Sequence, residues 1–327
     1  MYSKKLHISQ IFSNLERPTF KLYNLIMCNL YTKFVKFLEI CKQISHDLVT
    51  EKGNTLRPGP VLRFSDLEVI ALSMAAETEE IDSENWLFEG RLKECRDSIP
   101  NLISRRQFND RRKAVSGLQE QIRSRTAKEM DGGEDYFCID SKPIEVCRVA
   151  RGKRSKMGQD GDFAKAPDLG YCASQGNYFF GYKLHVLCGL SGVIHSYDLS
   201  KASVHDINYI KDIKHVYHDC SIFGDKGYIG AEVQLDLFET ANIRLECPYR
   251  LNQKKWKPTF IPFAKARKRV ETLFSQLTDQ FLVIRNYAKK TCGLFARIIG
   301  KVSALTALQY INYINNKPIG RIKYALI

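Results

Sequence analysis

The spacing of apolar residues changes once along the chain, near residue 131. Upstream, the apolar positions recur at the three-to-four-residue period of helices. In "FSDLEVIALSMAAE", Leu67, Ile70, Ala71 and Met74 share one face, and Ser65 with Glu68 has the pattern of a capping box. "SRRQFNDRRKAV" predicts a polar, strongly basic helix capped at Ser104, just after Pro100. "EMDGGEDYF" then supplies a Gly-Gly turn and a boundary near Asp131.

Downstream the pattern turns to short strands. "YFCID" is a brief apolar run ending in Asp140, with Pro143 soon after. "FFGYKLHVLCGLSGVIHSYDL" predicts a hairpin turning between Gly189 and Gly192. "VHDINYIKDI" is helical in period, "CSIFGD" is a strand, and "AEVQLDLFETA" is a helix burying Val233, Leu237 and Phe238. "NIRLEC" is a strand stopped by Pro248. "AKARKRVETLFSQLTDQF" is an amphipathic helix with Val270, Phe274, Leu277 and Phe281 on its stripe. The expected order β-β-β-α-β-α-β-α defines a mixed α/β sheet with an early antiparallel hairpin. The segment "RVARGKRSKMGQDGDFAKAP", between the first strand and the hairpin, is too long for a tight connection.

Composition narrows the function classes. The chain has 327 residues, 44% of them hydrophobic, enough for a sizeable core. Fifty Lys and Arg against 36 Asp and Glu give a formal net charge of +14, which favours polyanionic partners and nucleic acid first. No membrane role is expected: the most apolar C-terminal run, "LFARIIGKVSALTALQYI", is interrupted by Arg297 and Lys301, and "MYSKKLHISQ" lacks an apolar signal core. The ten cysteines form no C-x-x-C pair, and Cys138, Cys188 and Cys247 fall inside strand-like runs as buried thiols of a reduced cytosolic compartment.

Three acids are the candidate chemistry. Asp140 ends "YFCI", and Asp225 ends the strand in "SIFGDKGYIG"; ligands of α/β sheets gather at the carboxyl ends of strands. Glu271 sits at the edge of the buried stripe of its helix. Together they would form a hard oxygen site suited to Mg²⁺. Each residue also has a plainer role: Asp225 as a turn former before Lys-Gly, Asp140 as a cap, and Glu271 as the i+4 ion-pair partner of Arg267.

"CID", "FFGYKLHV", "FGDKGYIG" and "KRVETLFSQL", in that order, resemble the DDE transposases of bacterial insertion sequences, closest to the insertion sequence 982 family. The likeness covers about residues 135–311, with acids separated by 85 and 46 residues. It implies an α/β, ribonuclease-H-like mixed sheet flanked by helices in residues 131–327, preceded by a helical DNA-end-binding domain in 1–130. It implies Asp140, Asp225 and Glu271 as catalytic metal ligands for two Mg²⁺ ions, with Mn²⁺ as a substitute. The implied reaction is cleavage of the element's ends and transfer of the 3′-OH into target DNA by a homo-oligomer. Arg267 matches the family's arginine before the glutamate, whereas Ala264 and Thr278 stand where a tyrosine and a lysine are usual. The implied location is the bacterial cytoplasm, on the nucleoid. The rival readings are a DNA-binding derivative without catalysis and a ribonuclease-H-fold nuclease that cuts without joining.

The expected phosphate contacts are Arg105, Arg106, Arg111 and Arg112 on the basic helix, and Arg148, Arg151, Lys153, Arg154 and Lys156 after the first acid. Lys226, Arg250, Lys254, Lys255 and Arg267 complete the set, with Trp256 and Lys257 beside the last cluster. The alternative for these runs is a solvated charged face. His205 and Asp206 read as the start of a helix, and His215 with His218 lacks a third ligand for zinc.

Overall fold

A computed structural model of the protein describes residues 29–158, 166–248, 261–285 and 287–326. It contains a six-stranded mixed sheet with helices on both faces. The strands are β1 (Tyr136–Cys147), β2 (Asp168–Cys172), β3 (Asn177–Gly189), β4 (Ile194–Lys201), β5 (Ser221–Phe223) and β6 (Arg244–Glu246). Their order is β2-β3-β1-β5-β6, and β4 also pairs with β3. β3 is antiparallel to β1, β2 and β4, while β1, β5 and β6 run parallel. This architecture is compatible with a ribonuclease-H-like fold.

The helices before the sheet are α1 (Asn29–Ile44), α2 (Asp66–Thr78), α3 (Glu84–Glu89), α4 (Arg105–Ala114) and α5 (Ser116–Asp131). Those interleaved with and following the strands are α6 (Ile207–Ile213), α7 (Ala231–Ala241), α8 (Ile261–Asp279), α9 (Thr291–Ile314) and α10 (Lys323–Leu326). Local signals set several ends. Ser65 accepts from Glu68 N at 3.2 Å while Glu68 accepts from Ser65 N at 2.5 Å, so α2 starts on a complete capping box. Ser104 and Gln107 make the same reciprocal pair at the start of α4. Asn242 ends α7 in the left-handed region, φ 51°, a conformation Asn tolerates better than most residues.

Alternation along β1 divides the core. Phe137 and Ile139 enter a cluster with Leu187, Ile210, Ile222, Tyr228 and Leu237, on the α6 and α7 side. Cys138 enters a larger cluster on the other face, which runs from Leu30 and Phe37 through Leu72 and Val270 to Leu305. The N-terminal helices therefore share one continuous core with α8, α9 and the sheet. A separate helical domain with its own core is not seen among the described residues.

Three expectations change. β1 does not stop at Asp140 but continues through Pro143 to Cys147. β5 pairs only with residues 136–138, so beyond Cys138 one edge of β1 lies outside that ladder and a proline is tolerated there. β2 is a strand inside the long polar connection. Phe238 is 49% exposed, whereas Leu237 is buried.

α9 is the one helix among the described residues with the length and hydropathy to cross a membrane, and most of it is buried inside the protein. The nine described cysteines are all free thiols.

Candidate active site

Asp140 and Asp225 come together through strand register. Tyr136, Phe137 and Cys138 of β1 pair in parallel with Ser221, Ile222 and Phe223 of β5. Two residues past Cys138 is Asp140, and two past Phe223 is Asp225, so the carboxylates leave neighbouring strands at the same end. Each is oriented by the backbone. Asp140 Oδ1 accepts from Ser141 N at 2.8 Å, and Asp225 Oδ1 accepts from Gly227 N at 2.8 Å. The second contact caps the short 3-10 turn Lys226–Tyr228, so Asp225 forms a turn and also faces Asp140.

Burial pushes the Asp140 carboxyl up to about 7; the charges of Asp225 and Asp206 add to the rise, while the Ser141 N–H and Arg267 oppose it. Two adjacent carboxylates in a partly desolvated pocket fit a divalent cation, which removes their repulsion.

Glu271 is not gathered in. α8 packs on β1 and β5, with Val270, Leu273 and Leu277 inward. The Glu271 carboxylate accepts from Arg267 Nε at 3.0 Å on the exposed side, with side chains 57% and 56% exposed. Arg267 also feels Asp140 and Asp225. The guanidinium thus stands between the strand-end pair and the helix acid. Among the described residues no three Asp, Glu, His or Cys side chains are arranged to hold one metal ion.

A third acid that the sequence reading treated as a helix start is nearby. Asp206 precedes α6 but caps nothing with its side chain. It takes a hydrogen bond from Lys183 Nζ at 2.9 Å and is one of the charges acting on Asp140. Its approach depends on the β3–α6 packing, which no local pattern in "SVHDI" encodes.

The basic residues separate by environment. Arg148, Arg151, Lys153, Arg154 and Lys156 are exposed beyond the end of β1, and Lys226 is exposed next to Asp225. Arg105 and Arg106 are exposed on α4. Arg111 and Arg112, from the same run, turn inward instead. Arg111 bonds Asp66 at 2.7 Å and the Phe64 carbonyl, and Arg112 lies 2.6 Å from Glu77 and 3.6 Å from Glu84. Internal carboxylates and a carbonyl occupy both guanidinium groups, so α4 presents Arg105 and Arg106 to solvent rather than all four. Arg105 borders a cleft of about 440 Å³ with Lys113, Tyr287, Lys289, Lys290 and Arg297. The sequence reading passed over "YAKK" here, although an aromatic beside two lysines was visible. Arg250, Lys254, Lys255, Trp256 and Lys257 lie outside the described residues.

The mixed sheet, with Asp140 and Asp225 on neighbouring strands, has the architecture compatible with a ribonuclease-H-like fold. Residues 131–307 match the family model of the transposase DDE domain, and the chain belongs to this family of DDE-type transposases. No curated protein and no solved structure matches it. DNA is the substrate this family implies, and divalent metals are what its members generally use.

Proposed function

We propose that the chain is an insertion-sequence transposase, resembling the insertion sequence 982 family, in which Asp140, Asp225 and Glu271 hold two Mg²⁺ or Mn²⁺ ions. The β1–β5 register carries this reading, because it sets two carboxylates from distant parts of the chain at one strand end. When bound, the ions would polarise the scissile phosphate and stabilise the attacking and leaving oxygens of an in-line displacement.

The protein's own groups supply the rest. The N–H groups of Ser141 and Gly227 hold one oxygen of each aspartate, leaving the others free to bind. Glu271 joins the pair by releasing Arg267, whose guanidinium then becomes available to a DNA phosphate. Asp140, held protonated below about pH 7 in the metal-free protein, gives up its proton to bind a cation. Attack by water frees a 3′-OH at the element's end. At the same acids that 3′-OH attacks a phosphodiester of target DNA, forming the new P–O bond as the target's own 3′-oxygen leaves. The enzyme forms no covalent bond to DNA in either step, so no nucleophilic side chain is needed. Lys226 next to Asp225 and the exposed arginines and lysines beyond the end of β1 would position the backbone of terminal repeat and target, together with Arg105 and Arg106 on α4. Pairing two ends calls for a homo-oligomer on DNA, acting at the bacterial nucleoid.

The test is Mg²⁺-dependent cleavage and strand transfer on the element's own ends. Asp225→Asn and Asp140→Asn should each abolish both steps while leaving DNA binding intact. Cleavage by folded Asp225→Asn protein would refute the site. Binding that persists in EDTA, with no nicking by the wild-type protein, would make it a DNA-binding derivative. Cutting without joining of a precut 3′-OH substrate would make it a nuclease.

A further inference from the structure

Asp206 has an arrangement that an ordinary surface ion pair does not need. Its Oδ1 accepts from Lys183 Nζ at 2.9 Å, and the same Nζ donates to the Val204 carbonyl at 2.8 Å. Its other oxygen lies on the far side, against Gly227. A Cβ placed on Gly227 would meet Asp225 Oδ1 at 2.9 Å and Asp206 Oδ2 at 3.6 Å. The two carboxylates therefore border a single point, kept open because residue 227 has no side chain. Asp140 feels both of them. Among the described residues, Lys183 and Arg267 are the cations that offset their repulsion.

A second, independent observation points into the same place. Tyr228 is 0% exposed, and its hydroxyl is a buried polar atom with no hydrogen-bond partner. An unmade bond of this kind is costly and calls for an explanation. The charges acting most strongly on that hydroxyl are Asp206, then Asp140, then Asp225. The phenol is thus a buried donor without a partner, and these acids are the charges that act on it.

From this geometry we infer that Asp206 is a fourth carboxylate of the divalent-cation centre, parked on Lys183 when no cation is bound, with the Tyr228 hydroxyl as its buried donor. This rests on the reading of Asp140 and Asp225 as cation-holding residues. It assigns Lys183 a role as well: the ammonium partly neutralises the site in the metal-free protein and competes for Asp206 when a cation arrives. A paired-ion centre needs carboxylates on more than one side. Asp206 supplies one from the α6 side of the sheet, opposite the α8 side that carries Glu271.

Mn²⁺ binding to the full-length protein without DNA, followed by the electron paramagnetic resonance of free Mn²⁺, tests this apart from catalysis. Asp206→Asn alone would weaken binding even if Asp206 only neutralised Lys183, because it strands a positive charge. The deciding variant is therefore Lys183→Met/Asp206→Asn, which removes both charges. The expected result is a loss of affinity of about tenfold or more in both variants, with Asp206→Glu close to wild type and exposed Asp198→Asn unchanged. Wild-type affinity in the double variant overturns the assignment and leaves Asp206 a plain ion-pair partner. Asp225→Asn is the reference: if it does not weaken Mn²⁺ binding, the cation centre itself is refuted and Asp206 falls with it. If it does and the double variant does not, only the fourth carboxylate is lost. Thermal melts in EDTA identify any variant that fails to fold, and Lys183→Met/Asp206→Ala, which also removes both charges, then takes the place of the deciding variant.

Discussion

Lys301 on α9 donates to Glu77 on α2 across 2.5 Å, and neither side chain is more than 3% exposed. Arg112 reaches the other Glu77 oxygen at 2.6 Å, and Lys301 also donates to the Phe281 carbonyl at 2.6 Å. The two charges that interrupt the most apolar run are thus accounted for differently: Lys301 sits inside this network, and Arg297 borders Glu84 at 4.0 Å. Removing Glu77 strands the buried Lys301 and leaves Arg112 only Glu84 at 3.6 Å. Glu77→Ala should cost about 3–5 kcal/mol, read as a fall in the urea midpoint. A loss below 1 kcal/mol would show that water enters and solvates Lys301 and Arg112.

Asp140 carries the opposite sign. Native Asp140 keeps its proton to about pH 7, chiefly because it is buried, whereas an unfolded aspartate loses it near 4. Relative stability is complete below pH 4 and is lost as pH rises through 7. In EDTA, Asp140→Asn should therefore stabilise the protein at pH 8, by up to about 4 kcal/mol, with no gain at pH 4. Equal melting temperatures of variant and wild type at pH 8 would contradict the burial of this carboxyl. The same variant is expected to abolish cleavage, so stability and activity move in opposite directions at one residue.

His185 in β3 behaves in the reverse way. It is fully buried, hydrogen-bonded at 2.7 Å to Ser200 and stacked on Tyr209, and burial lowers it to about 4; Asp206 and Asp198 oppose the drop and Lys183 adds to it. The native imidazole stays neutral while the unfolded one takes up a proton below about 6.5. Its contribution is present above pH 6.5 and is lost as pH falls to 4, by about 3 kcal/mol at most. His185→Phe should flatten the fall in urea midpoint between pH 6.5 and 4. A slope identical to wild type would place the imidazole in contact with water.

How much of this was legible along the chain depends on range. Capping boxes at Ser65 and Ser104 and the turn at Gly189–Gly192 are set within four residues, and the sequence pattern finds them. Asp140 and Asp225 were visible as acids closing apolar runs, although β1 continues past Asp140 to Cys147. Their meeting was not, because it follows from β1–β5 register across 85 residues. Arg111 and Arg112 look the same in sequence as Arg105 and Arg106; only the packing of α4 on Asp66 and Glu77 separates them. β2 was missed because "DLGYC" lies in a polar connection and pairs only after β3 is in place. Asp206 was hidden for the same reason: a tertiary approach gives it its neighbours.

The split within the basic helix yields a last prediction. Exposed phosphate contacts set the salt dependence of DNA affinity, with about 0.9 in log–log slope lost per contact removed on duplex DNA. Arg105→Ala/Arg106→Ala should lower that slope by roughly 1–2 and leave the melting temperature unchanged, since both side chains are exposed. Arg148→Ala/Arg151→Ala/Arg154→Ala should lower it by up to about 3, again without loss of stability. Arg112→Ala should do the opposite: it takes the guanidinium from Glu77, leaving it only Lys301, and from Glu84, lowers the melting temperature, and keeps the slope of the wild type wherever the variant is folded. Fluorescence anisotropy of a labelled terminal-repeat duplex at several salt concentrations, set beside thermal melts, separates these outcomes. An unchanged slope for Arg105→Ala/Arg106→Ala would remove α4 from the DNA surface. A reduced slope for folded Arg112→Ala would show that its guanidinium leaves the core to meet DNA.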